Sequence, residues 1–219
     1  MFVKDYMTRH PIMVAPEMRA TEAQKIMSEN KIRHLPVVGE GKRLVGLVTR
    51  QRLALKPDAM ASLNVWEITR FLANMSVRQV MLAAKQVHTI GPDNTVERAA
   101  RLMAEQTVSY LPVLDGDGVV VGILSEVDLL RAIQDMLGMT AEGVRVTMQM
   151  PDEKGQFARL ATTLAEHGWG IMGIGSYPAP RRAGYYQIVV KIPQVTVEQV
   201  REVLSQIPGQ EMVDIRTVV

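Results

Sequence analysis

Apolar residues along the chain fall into short runs and helical stripes that recur in one order. An extended segment at 12–14 is followed by a helix beginning at Thr21, with Gln24 three residues on as a capping box and Ala20, Ala23 and Met27 on its inner face. Two strands come next, Leu35-Pro36-Val37-Val38 and Gly46-Leu47-Val48-Thr49, joined by the tight turn Gly39-Glu40-Gly41-Lys42. A second helix is expected over 50–55. The pattern then starts again. An extended segment at 87–90 leads to a helix capped by Asn94 or Thr95, with Glu97 in support and Val96, Ala99, Ala100 and Met103 facing inward. Two strands flank Asp115-Gly116-Asp117-Gly118, and a helix follows over 126–136.

The recurrence is an internal repeat. Leu35-Pro36-Val37-Val38 returns as Leu111-Pro112-Val113-Leu114, and Gly46-Leu47-Val48-Thr49 as Gly122-Ile123-Leu124-Ser125, both 76 residues later. Pro16 and Pro92, and Met27 and Met103, keep the same spacing, while Val3…Met7 matches Val77…Met81 at 74. Each unit reads β-α-β-β-α and holds about 55 residues, too few to be comfortable alone. Two units packing sheet against sheet would share one core.

After Gly138 the pattern changes. Residues 144–150 alternate as a strand with one solvated face, and Pro151-Asp152-Glu153-Lys154-Gly155 is a turn. A helix over 157–167 buries Phe157, Leu160, Ala161 and Leu164 and ends at Gly168. Strands are expected at 171–177 and 185–192. Thr196 caps a helix carrying Val197, Val200, Val203 and Leu204, and a last strand covers 211–218. The order β-α-β-β-α-β suits a ferredoxin-like sandwich. Between the repeats, Lys56 to Ser62 reads as a loop, and 63–72 as a linker helix.

Composition narrows the function. The 219 residues are 47% apolar and only 5% aromatic, with 15 Met, so a real core is available and its interior adapts in shape. With no Cys, disulfide and thiolate chemistry are excluded. There is no apolar signal core and no stretch of membrane-spanning length, so a cytoplasmic protein without membrane contact is expected. Residues 1–80 carry 13 Lys/Arg against 7 Asp/Glu, and residues 81–219 carry 12 against 16. The basic half suits an anionic small molecule, but its charge is too dispersed for nucleic acid. No phosphate loop, metal-spaced His pair or nucleophile elbow is present, so neither an enzyme nor a metal site is indicated.

The chemistry gathers at the end of the second unit. Ser125 closes a buried strand and stands as the N-cap of the next helix, with Glu126 and Asp128 in its first turn. Either the corner only caps its helix, or it presents a hydroxyl, N–H groups and a carboxylate to a ligand bearing hydroxyls and phosphate. Gly122, inside the strand, marks close approach by a ligand or another segment.

The Val-x-x-x-Met start, the Leu-Pro-Val strand and the Gly-apolar-apolar-Ser/Thr corner, occurring twice in register and closed by Asp128 in the second copy, resemble tandem cystathionine-β-synthase (CBS) domains. The resemblance divides residues 1–137 into a first unit at 1–56, a linker at 57–74 and a second unit at 75–137, packed about a pseudo-twofold axis. It implies a cleft for an adenosine ligand: AMP, ADP or ATP ahead of NAD or S-adenosylmethionine. Ser125 and Asp128 would hold the ribose. Tyr110, Leu111, Pro112, Gly122, Thr89 and Ile90 would lie near the base, and Arg33, His34 and Arg50 near phosphate. The first unit has Thr49 but Arg52 at the acid position, and a guanidinium has no acceptor for a ribose diol. Residues 144–219 resemble the ACT domain through Asp152-x-x-Gly155 followed by Phe157, which implies an amino-acid site at Asp152 and Gly155; Lys154 replaces the usual Pro. Two CBS units and an ACT unit resemble the layout of acetoin-utilisation B-type proteins. A non-catalytic regulatory protein that forms a homodimer or higher homo-oligomer and acts on a protein partner is implied, with a ligand-independent scaffold as the alternative.

Overall fold

The computed structural model describes residues 1–53 and 74–218. The expected linker helix lies outside the described residues. The chain divides into two compact units, Met1–Leu130 and the remainder from Arg131.

In the first unit, β2 (His34–Val38) and β3 (Leu44–Thr49) form one hairpin, and β5 (Tyr110–Leu114) and β6 (Val120–Ser125) form the other. The expected extended segments shrink to single parallel bridges, Val14 to Val37 and Ile90 to Val113. Val14 and Ile90 each donate to the carbonyl of the strand proline, Pro36 or Pro112, and accept from Val38 or Leu114. A proline has no N–H to extend the ladder.

The leading segments are exchanged between the repeats. The short helix Val3–Tyr6 runs into β1 (Thr8–Arg9), which pairs with β6 of the second repeat. Likewise Val77–Val80 runs into β4 (Leu82–Ala83), which pairs with β3 of the first. The two sheets are therefore β2-β3-β4 and β1-β6-β5. Val77 belongs to the core of the first repeat, with Ala23, Met27, Leu35, Val37 and Val48. Gly46 and Gly122 permit the exchange. A Cβ at Gly46 would collide with the Leu82 carbonyl, and one at Gly122 with Met7.

The helix Ala20–Glu29 starts one residue before the expected Thr21 and has no side-chain cap. Its N-cap is Arg19, and the Ala20 N–H is taken by the Met75 carbonyl, so the second repeat's leading segment replaces the capping box. The equivalent helix Val96–Gln106 is capped by Thr95, whose hydroxyl accepts from the Arg98 N–H at 3.2 Å. Thr95→Ala is expected to lower stability by about 1 kcal/mol, read as a fall in the denaturation midpoint at unchanged slope.

The second unit is a four-stranded antiparallel sheet in the order β10-β7-β9-β8, with strands Glu211–Val218, Gly143–Pro151, Tyr185–Ile192 and Gly173–Pro178. Helices Gln156–Glu166 and Val197–Leu204 cover one face, over a core of Val146, Met148, Leu160, Leu164, Val190 and Leu204. This is the ferredoxin-like order. Thr196 caps its helix with Gln199 in a reciprocal box. Two expectations fail. Phe157 is 47% exposed, because the helix register turns Gln156, Leu160 and Leu164 inward and Gln210 bonds to Gln156. The polar face of β7 is not solvated, since Thr147 and Gln149 are buried.

Candidate functional site

Each repeat ends its hairpin at a strand-to-helix corner, and the two corners differ in one side chain. At the second, Asp128 Oδ2 accepts from the Ser125 backbone N–H at 2.8 Å and from the Ser125 hydroxyl at 2.6 Å. The Asp128 N–H in turn reaches Ser125 Oγ at 3.3 Å. Asp128 is only 5% exposed, so its carboxylate is held in one orientation. At the first corner Thr49 Oγ1 accepts from the Arg52 N–H at 3.3 Å, and the Arg52 guanidinium turns toward the Val80 carbonyl. The turn is conserved between the copies without the acid.

The equivalent strands His34–Val38 and Tyr110–Leu114, which lie in different sheets, meet at their first residues. His34 and Tyr110, 76 positions apart, stack with ring centroids 3.6 Å apart. The His34 Nδ1 is buried with no hydrogen-bond partner among the described residues. Burial, with the charge of neighbouring Arg33 second, holds its pKa down to about 4. Between about pH 6.5 and 4 the unfolded chain therefore binds a proton at this residue that the folded chain does not, so stability falls as pH falls through that window. Unfolding midpoints at pH 7, 5.5 and 4.5 are expected to drop in that order. His34→Gln is expected to flatten the drop.

A cavity of about 350 Å³ opens beside this stack. It joins the first corner, Thr49 and Arg50, to His88 and Tyr110 of the second repeat, with Arg33 and His34 at the seam. The structure thus brings together Tyr110, Arg33, His34 and Arg50 of the sequence-predicted residues. It does not bring Ser125, Asp128 or Thr89 to that cavity. Thr89 lines a different one, with Arg98 and Arg101. Leu111, Pro112 and Ile90 are buried in the core, and Gly122 faces Met7 and Thr8 rather than open space.

The cavity beside the stack takes its corner from one repeat and its extended segment and strand start from the other. The Thr49 corner meets Val87, His88 and Thr107 to Tyr110. At the repeat spacing of 76, the positions equivalent to these are Pro11, Ile12 and Lys31 to His34. Ile12 is 40% exposed, an apolar side chain open at that place. Sequence reasoning passed over Ile12 and His88; applying the repeat spacing across the two units, rather than within one, would have found them.

In the second unit Asp152 borders a cavity of about 520 Å³ with Phe157, Ile174 and Tyr186. Gly155 has φ +89° and open space at its Cβ position. Among the described residues no cluster of three metal-ligating side chains occurs, and no helix is long and apolar enough to cross a membrane.

The CBS-domain family model matches residues 3–56 and 77–135, the two repeats that carry these corners. The chain belongs to the CBS-domain family. The CBS pair of this protein is similar in structure to CBSX2 in complex with AMP, at 28% identity and TM-score 0.50, covering 60% of this chain and 95% of that one. It is also similar to the CBS pair of protein MJ0100 in complex with 5′-methylthioadenosine and S-adenosyl-L-methionine, at 29% identity and TM-score 0.50, covering 61% and 95%. A candidate acetoin utilization protein (AcuB) from Vibrio cholerae matches at 27% identity and TM-score 0.50, covering 61% and 90%. Among curated proteins, a homoserine O-acetyltransferase of Methanohalobium evestigatum is 31% identical over 134 residues, 61% of this chain and 24% of that protein. The chain spans about a quarter of the length of the curated relatives it matches first.

Proposed function

We propose that the CBS pair is a non-catalytic regulatory module that binds an adenosine ligand, with the ribose on Ser125 and Asp128. The observation that carries this reading is the difference between the two corners: their backbone turns are equivalent, and only one holds a carboxylate. A ribose diol donates two hydrogen bonds and needs an acceptor, which Asp128 supplies and Arg52 does not. On binding, a ribose hydroxyl takes over the Oδ2 contact now made by the Ser125 hydroxyl. Ile12 flanks the base, and Arg33 and His34 lie toward phosphate. The complexes of similar CBS pairs with AMP, 5′-methylthioadenosine and S-adenosylmethionine support an adenosine ligand. The excess of cations in the first half favours AMP, ADP or ATP over NAD or S-adenosylmethionine.

The second unit is read as an ACT-like domain, from its ferredoxin-like order and its Asp152–Gly155 turn. An amino acid would sit at the cavity bordered by Asp152. The whole is read as a symmetric homo-oligomer that passes ligand state to a protein partner by favouring one pose of the CBS pair. Thermal shift with AMP, ADP, ATP and S-adenosylmethionine tests the sensor reading. A sensor gains melting temperature with ligand concentration, and a ligand-independent scaffold gains none with any of the four.

A further inference from the structure

The face of the C-terminal sheet away from its two helices holds charges that its own fold does not balance. Strand register sets Arg216 opposite Arg145, Arg145 opposite Lys191, and Lys191 opposite Gly173, so three cations stand in one row across β10, β7 and β9. Like charges directly opposite one another destabilise a sheet. One carboxylate answers them: Asp214 accepts from Arg145 at 3.1 Å and from Arg216 at 2.6 Å. Lys191 is 3% exposed. Its ammonium donates to the Ala141 carbonyl, and no carboxylate of the described residues lies within ion-pair reach of it. A buried ammonium without a counter-ion is costly.

A cavity of about 400 Å³ opens over this row. Arg145 and Lys191 form its charged floor, and Leu137, Met139, Tyr177 and Val189 its apolar walls. On β8 the neighbouring residues are Gly175 and Ser176, too small to fill it.

We infer that this face binds a small organic anion, a carboxylate with an aliphatic or aromatic body and no amino group. The carboxylate accepts from Lys191, which has donors to spare beyond Ala141, and from Arg145. It offsets a row that carries three cations and one acid. The body covers Leu137, Met139 and Tyr177. An α-amino acid is a poor occupant, because its ammonium faces cations and the one acid there is already doubly paired. This site is separate from the turn at Asp152 and from the corner at Ser125, and its test is independent of both.

Calorimetric titration of the full chain with hexanoate, hexanamide and norleucine decides the matter. Hexanoate is expected to bind at least about tenfold more tightly than either of the others. Lys191→Met, which keeps the aliphatic stem, and Arg145→Met are each expected to weaken hexanoate by about tenfold or more. Where Lys191→Met fails to fold, the half-exposed Arg145 carries the comparison. Equal binding of the three compounds, no hexanoate binding in the millimolar range, or unchanged hexanoate affinity in a folded variant overturns the inference. So does a Lys191→Met chain that is less stable yet binds hexanoate as the parent does, since Lys191 would then only tie the segment at Ala141 to the sheet.

Discussion

Gly46→Val is expected to destabilise the CBS pair by about 3 kcal/mol, a large share of the stability of an ordinary domain. The added Cβ meets the Leu82 carbonyl, a backbone atom that cannot move without breaking the pairing of Gly46 with Ala83 and of Leu47 with Leu82. That pairing holds the leading segment of one repeat on the hairpin of the other. Losing it also frees Val77 from the first repeat's core. Gly122→Val is the internal comparison. Its Cβ meets chiefly the Met7 thioether, a flexible side chain, with the Thr8 carbonyl at 3.2 Å. It is expected to cost about 1–2 kcal/mol. Urea unfolding of both variants checks the ranking, and equal costs would mean that the two exchanges are not held by the backbone contacts described.

Asp128→Ala is expected to weaken an adenosine ligand about 10- to 150-fold, the loss of hydrogen bonds to a charged acceptor worth about 1.5–3 kcal/mol. The same change removes the partner of the Ser125 N–H and hydroxyl, so a fall in stability of about 1 kcal/mol accompanies it. The two effects separate by measuring affinity well below the melting temperature. Thr49→Ala, at the corner without an acid, is expected to lower stability by a similar amount and leave the ribose affinity unchanged. Loss of affinity in Thr49→Ala but not in Asp128→Ala would move the ligand to the cavity beside Arg50.

Much of this was legible in the sequence because the repeat fixes which residues are equivalent. The hairpins, the Thr95 and Thr196 caps and the strands Tyr185–Ile192 and Glu211–Val218 follow from local period and turn chemistry alone. The exchange of leading segments did not follow. A two-residue strand carries no period, and nothing local says which hairpin it joins. Gly46 and Gly122 held the trace of it, since a glycine at the same strand position in both copies asks for a close neighbour. Thr89 and Ile90 were chosen within one repeat, whereas the cavity at the Thr49 corner is built across the pair. Phe157 was misplaced for a different reason. Its apolar character suggested the core, while the helix start at Gln156, fixed by the left-handed Gly155, turned it outward. The buried polar row on β7 and β9 was also hidden, since alternation reads a polar residue as solvated whatever covers it.

The most direct test is calorimetric titration of the parent chain with AMP. A carboxylate at only one of the two corners predicts saturable binding below the millimolar range with one AMP per chain. Two equivalent AMP per chain, or no binding in that range, would contradict it.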